Sequence, residues 1–307
     1  MTEQWKTATM CTQNNEEAYV DDKAMMSKAE RILCKVPGGR SIWNLYLAIW
    51  TVWLTFRDRL PSIDLSLKIM TRLKDGIFTF LYAGRTFRFW LPFAGDDIIQ
   101  STILSNGTFW DIDTLEHIRQ YIPAGSAVID CGANIGNHSI FFAAICKARS
   151  VLAFEPQKVC AEIFTRQAEL NGLQGNIEIK CCALGSCMGK MSVGKYYPGN
   201  SGGTMFEYDE DGDVPVITLD SLNLQKLDFM KIDVEGAQLD VLNGAKETLS
   251  RLSPILLIEL GTHVGETGFD KKKEINGPIK LLKELGYEVA ERISPTDYVF
   301  AKQKLVG

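Results

Sequence analysis

The sequence predicts an α/β fold: a mainly parallel sheet with helices on both faces, preceded by an extension of different composition. Three observations lead there. From residue 127 onward, short apolar runs alternate with stretches of helical length. The first of these runs ends in a Gly-rich turn that opens the next helix. The last two runs are separated by Ser294-Pro295-Thr296, a spacing that suits a hairpin at one edge of the sheet.

In chain order, residues 1–22 are polar and acidic and read as a frayed terminus. Residues 42–56 form the most apolar run, with Asn44, Ala48, Thr51 and Thr55 on one narrow polar stripe and three Trp on the remaining face. Fifteen residues fall short of the roughly 20 that a membrane span requires. Two readings stay open: a helix packed on the rest of the protein, or a helix lying at a membrane surface through residues 40–60, where Trp and the flanking Arg40, Arg57 and Arg59 suit the headgroup layer. Residues 77–92 alternate around Gly84 and predict a β-hairpin. The strands follow at 127–132, 150–156, 177–184, 228–236 and 254–260, then the edge pair 287–293 and 297–303. Helices are expected at 138–148, at 157–171 up to the Asn171-Gly172 stop, over 238–252, and at 275–286. The Gly-rich, aromatic stretch 188–218 reads as an insertion over the strands' C-terminal ends.

Composition sets outer limits. The 307 residues are 46% hydrophobic and 23% charged, which excludes a disordered tail or a fibrous repeat. The net charge of -5 opposes a general nucleic-acid binder. Charge is uneven: residues 23–90 carry 12 Lys/Arg against 4 Asp/Glu, and all six Trp lie in the first 110 residues. The expected organisation is therefore a flexible 1–22, a basic Trp-rich extension 23–95 and a domain of different composition over 96–307. The eight Cys have neither disulfide-framework nor zinc spacing, and read as reduced, mostly buried thiols of a cytoplasmic protein. The first ten residues are polar and lack a secretory apolar core.

Chemistry concentrates in VIDCGANIGNHS, 128–139. Asp130 is the last polar group of the first strand. Gly132 and Gly136 permit a sharp turn, and Asn137 or its neighbours start a helix whose free N–H groups face the turn. The dinucleotide fingerprint G-x-G-x-x-G is absent. Ala133-Asn134 occupies its middle, where side chains would crowd a pyrophosphate. A cofactor without phosphates fits better. The second strand ends in Phe154-Glu155-Pro156, and a carboxylate there can accept from both hydroxyls of a ribose. Asp130 can meet an ammonium group. Together these describe a site for an adenosine carrying a cationic amino-acid tail.

The segment 128–260 resembles the FkbM-type S-adenosylmethionine-dependent methyltransferases. The resemblance rests on VIDCGANIGNHS, AFEP at 153–156, ITLDSL at 217–222, DFMKIDVEGAQLDVLNGA at 228–245 and PILLIEL at 254–260. Upstream, 96–112 is similar to the family's lead-in. Gln238 departs from the Glu the family often has there. The resemblance implies a Rossmann-like class I methyltransferase fold with seven strands and S-adenosyl-L-methionine as cofactor. By position Asp130, Gly132, Ala133, Asn134 and Gly136, with Asn137, would cradle the methionine end, Glu155 and Pro156 the ribose, and Ala183 would lie near the adenine.

The implied reaction is O-methylation of a hydroxyl on a sugar, glycan or natural product. A hydroxyl is a weak nucleophile, so a neighbouring base helps. Candidates are Asp233, Glu235, Glu259 and His263. Asp233 could instead cap a helix, Glu235 could pair with a lysine, Glu259 could hold a loop, and His263 could be an ordinary loop histidine. His138 is expected in the first turn of its helix. A metal-assisted variant could draw on Asp233, Glu259 and Asp220, but no metal site is predicted. The expected acceptor is a small molecule or glycan, not nucleic acid, because Asp233-Val234-Glu235-Gly236 lacks the Asn/Asp-Pro-Pro-aromatic pattern of base-amino methylation and the catalytic half is acidic. A non-catalytic cofactor-binding scaffold is the alternative from another class.

Overall fold

A computed structural model describes residues 72–261 and 270–302. The chain divides into two units, Met1–Ser66 and Leu67–Gly307, and the described residues all belong to the second. The helix expected over 42–56, the segment 1–22 and His263 lie outside the described residues.

The predicted hairpin is present. Strands β1 (Leu73–Lys74), β2 (Ile77–Tyr82) and β3 (Arg85–Trp90) form an antiparallel sheet in that order. Ala83 and Gly84, both at positive φ, make the two-residue turn whose twist matches the strands. Period-two patterning buries one face: Phe78 pairs across with Phe89 and Phe80 with Phe87. Phe109 meets Phe80, Phe87 and Phe141 edge-on. The hairpin, placed by the sequence in the extension 23–95, packs through β3 against the helix over Lys158–Leu170 and through Phe109 against Phe141.

Helix α1 (Ile98–Asn106) is capped by Asp97, which accepts from Gln100 N at 3.0 Å, and stops at left-handed Gly107. Helix α2 (Ile112–Ile118) follows. The alternation then begins: β4 (Ala127–Cys131), α3 (Asn137–Ala144), β5 (Ser150–Phe154), α4 (Lys158–Leu170) and β6 (Ile177–Lys180). The run 177–184 splits, because its end, β7 (Ala183–Leu184), leaves for a second sheet with β8 (Gly189–Lys195), β9 (Met205–Tyr208) and β10 (Val214–Ile217), ordered β7-β10-β8-β9. The chain returns through β11 (Phe229–Ile232), α5 (Gln238–Asn243), α6 (Lys246–Leu252), β12 (Ile255–Glu259), α7 (Gly277–Glu284), β13 (Tyr287–Arg292) and β14 (Asp297–Lys302). The single helix expected over 238–252 breaks at Gly244, where a Cβ would stand 2.0 Å from the Gly185 carbonyl oxygen.

The main sheet runs β13-β14-β12-β11-β4-β5-β6, parallel from β12 to β6 and antiparallel over the edge pair, as predicted. The chain moves outward from β4 to β6 and then crosses back to β11 on the other side of β4. The order thus reverses between β4 and β11, and the crevice at their C-terminal ends is where an open α/β sheet receives a ligand. The β4 strand is buried along its whole length, and Ile129, Met230, Ile232, Leu256 and Ile258 belong to one core cluster.

Candidate functional site

Register creates the site's electrostatics. Asp130 on β4 and Lys231 on β11 are direct partners across parallel strands. Lys231 and Asp233 are two apart, so they share a face. Three charges therefore fall in one row at the crevice. The Lys231 Nζ lies 3.5 Å from Asp130 Oδ1, 3.0 Å from Asp233 Oδ2 and 3.4 Å from the Gly132 carbonyl oxygen. Asp130 is fully buried; its Oδ2 accepts from Ser139 Oγ at 2.7 Å, and its Oδ1 has Lys231 as its charge partner without a close hydrogen bond.

These burials have consequences for protons. Burial raises the Asp130 carboxyl against the opposing pull of Lys231. Burial also works to raise Asp233, but Lys231 and a hydrogen bond from Glu259 outweigh it and hold Asp233 low. Glu259 is pushed up to about 10 by burial, by the Asp233 charge and by its hydrogen bond to Asp233. The pair therefore shares one proton, which resides on Glu259. His138 is lowered to about 3 by burial and by Lys231, so its imidazole is neutral.

The Gly-rich turn carries the other half. Glu155 is 3% exposed, and its oxygens accept from Asn134 N at 2.7 Å and Gln157 N at 2.8 Å. Burial lifts its carboxyl to about 7 despite those two amides. Gly132 and Gly136 both sit at positive φ, as a sharp turn requires, and both are tightly packed. A Cβ on Gly132 would stand 1.7 Å from the Asp233 carbonyl oxygen, and one on Gly136 would stand 1.9 Å from the Phe164 ring. The glycines let the protein approach itself.

Two cavities meet here. The larger, about 280 Å³, is lined by the turn, by Glu155, Pro156 and Gln157, by Cys182, Ala183 and Leu184, and by residues of the 200–206 segment. Of the predicted cofactor residues, Gly132, Ala133, Asn134, Asn137, Glu155, Pro156 and Ala183 line it. Asp130 and Gly136 do not: the first is spent on Lys231 and Ser139, the second on Phe164. Asn137 has its side chain engaged as well, accepting from Trp110 N at 2.9 Å and donating to Trp110 O at 3.0 Å. A loop latch closes one side: Asp97 Oδ2 accepts from Ser201 N and Oγ, and Gln157 Nε2 donates to Ser201 O at 2.8 Å.

The smaller cavity, about 240 Å³, is lined by Trp110, Asp111, Thr114, His138, Lys231, Ile232, Asp233, Leu257, Glu259 and Asp297. It shares Trp110, His138, Lys231, Asp233 and Glu259 with the larger one. Of the predicted catalytic residues, Asp233 and Glu259 are brought together. Glu235, at φ 43, lines the larger cavity. Asp220 is elsewhere, its carboxylate accepting from Glu247 N and Thr248 N at the start of α6. Among the described residues no group of three or more His, Cys, Asp or Glu is placed to hold a metal ion.

Sequence reasoning passed over Lys231, Asp111, Asp297 and Trp110. The signal for Lys231 was available: a lysine in the middle of an apolar strand is costly unless paired, and acidic groups flank it in sequence. Asp297 reaches the site because it is the register partner of Glu259, a non-local fact.

The Methyltransferase FkbM domain matches residues 130–289, just over half of the chain. Curated relatives include Methyltransferase sdnD of Sordaria araneosa, 26% identical over 41% of this chain and 62% of that protein. Methyltransferase 1 of Beauveria bassiana is 28% identical over 55% of this chain and 74% of its own length. The chain thus spans less than two thirds of the Sordaria relative. Among solved structures, the methyltransferase FkbM of Methylobacillus flagellatus aligns with a TM-score of 0.41 and 15% identity, over 81% of this chain and 60% of that one.

Proposed function

This chain belongs to the FkbM family of methyltransferases, and from that premise we propose that it transfers the methyl group of S-adenosylmethionine to a hydroxyl oxygen of a sugar, glycan or natural product. The observation that carries the proposal is the pair of joined cavities at the β4/β11 crevice, one suited to a nucleoside and the other lined by carboxylates.

The residues of the larger cavity fit this cofactor. Glu155 is fixed by two backbone amides and keeps lone pairs for ribose hydroxyls. Phe154, Ala183, Leu184, Met191 and Phe206 supply apolar walls for a purine. Lys231 is the basic residue among those lining the cavity, and two carboxylates already neutralise it. A phosphate would find no free cation there, whereas a phosphate-free nucleoside needs none. When bound, the cofactor supplies an electrophilic methyl group on a positively charged sulfur.

The chain's own residues align the reactants. Trp110, its backbone held by two hydrogen bonds with Asn137, lines both cavities where they meet. Asp233, held ionised by Lys231, and Glu259, hydrogen-bonded to it, form one polar wall of the acceptor-side cavity. Orientation of this kind supplies much of the rate in a displacement where little other chemistry is required.

Calorimetric titration tests the cofactor half. S-adenosylmethionine is expected to bind, while NAD, which carries a pyrophosphate, is not. Preference for NAD would sink the assignment of the larger cavity.

A further inference from the structure

We propose that Asp111 is the catalytic base, the carboxylate that takes the acceptor's hydroxyl proton. The proposal rests on the methyl-transfer reading above and adds a residue to it.

Asp111 occupies the N-cap position of α2, where an aspartate ordinarily accepts from the backbone N–H two or three residues on. Here it makes no such bond, and its backbone sits at φ 53. The residue lines the acceptor-side cavity while remaining exposed. Two anchors hold the segment in place: the double hydrogen bond between Asn137 and the Trp110 backbone, and the buried ring of Phe109 against Phe141. An aspartate at the N-cap position that accepts no backbone N–H of its helix keeps its carboxylate for the cavity wall it lines.

The remaining groups facing the same cavity are committed elsewhere. Asp233 is engaged by Lys231 and Glu259, and Glu259 already carries a proton. Asp297 accepts from Ser294 Oγ at 2.5 Å and is the register partner of Glu259. His138 stands near the Lys231 charge, which disfavours an imidazolium. Asp111 has the Thr114 side chain as its hydrogen-bond partner. Desolvation raises its carboxyl to about 6. The Thr114 bond lowers it, Asp297 raises it, Lys231 lowers it and Asp233 raises it. It is thus ionised at neutral pH yet more basic than an ordinary carboxylate, which suits a general base.

In the step, the acceptor O–H bond breaks and its proton passes to Asp111 as the oxygen bonds the methyl carbon. The methyl–sulfur bond breaks with its electron pair kept by sulfur, and the sulfonium becomes a neutral thioether. One positive and one negative charge cancel, and no other reactant is needed. The protonated Asp111, exposed, returns its proton to solvent.

Asp111→Asn tests this without threatening the fold, since asparagine also tolerates the left-handed region. Cofactor affinity by calorimetry, transfer of labelled methyl groups from S-adenosylmethionine into a cell extract, and a ¹³C-carboxyl titration of aspartate-labelled protein are measured together. The expected result is unchanged cofactor affinity, transfer reduced 100-fold or more, partial rescue by Asp111→Glu, and a carboxyl signal titrating near pH 6 that disappears in Asp111→Asn. Transfer by Asp111→Asn within a few-fold of the parent, or an Asp111 signal titrating below pH 4, would overturn the assignment. A parent that binds cofactor yet transfers nothing would overturn the methyl-transfer reading itself.

Discussion

Replacing Glu155 by alanine removes the acceptor expected for the ribose and frees two amides that it now holds. Cofactor affinity should fall by about 1–3 kcal/mol, measured by calorimetry, because charge-assisted hydrogen bonds are lost. Lys231→Met presents the opposite problem. It leaves Asp130 buried without its charge partner, and breaking a buried pair costs about 3–5 kcal/mol. Urea denaturation should show that loss, and Lys231→Met combined with Asp130→Asn should recover much of it. Gly132→Ala should prevent folding or cost more than about 3 kcal/mol, since the added methyl meets a backbone carbonyl at positive φ. At this scale the sequence was partly legible. Spacing located Glu155 and the turn, because both are local. It did not disclose the partner of Asp130, Lys231, which lies on a strand 101 residues later and becomes its neighbour only through sheet register. Nor could it show what crowds the two glycines, because Asp233 O and the Phe164 ring are distant in sequence.

At the scale of elements, β3 and α4 show how a helix can complete a sheet edge. Gln167 and Asn171, one turn apart, each pair with a backbone N–H and C=O of the strand: Gln167 with Trp90 and Asn171 with Arg88. Four residues of helix rise about 6 Å, close to two residues of strand, so the two side chains match the strand's repeat. Gln167→Ala should destabilise the protein by about 1–3 kcal/mol by leaving Trp90 groups without partners. Hydrogen exchange at the Trp90 amide should accelerate by more than at Phe80, whose partner is within the hairpin. A uniform change across the hairpin would contradict this picture. Periodicity disclosed the hairpin itself but not this docking, because polar residues on a helix look alike whether they meet solvent or a strand edge. The same blindness applies to the 238–252 helix, broken where Gly244 passes the Gly185 carbonyl.

For the whole molecule, the raised carboxyls predict how stability follows pH. Glu259, at about 10, and Glu155, at about 7, hold in the native state protons that the unfolded chain releases above about 4.5. Their contribution is complete below that value and is lost as pH rises toward the folded values. Asp233, held low, acts in the opposite sense below pH 4. The urea midpoint should therefore decline from pH 5 to pH 9, and Glu259→Gln should flatten that decline. An unchanged slope in Glu259→Gln would place the shared proton elsewhere. The fold class was legible at this scale because alternating apolar runs and helical stretches have few topological solutions.

The most direct test of the account is the fate of the methyl group. Protein incubated with methyl-labelled S-adenosylmethionine and a cell extract should yield a product carrying the label on oxygen, and Glu155→Ala should lose it at limiting cofactor. Label found on nitrogen or carbon, or no labelled product from protein that binds the cofactor, would contradict O-methyl transfer at the β4/β11 crevice.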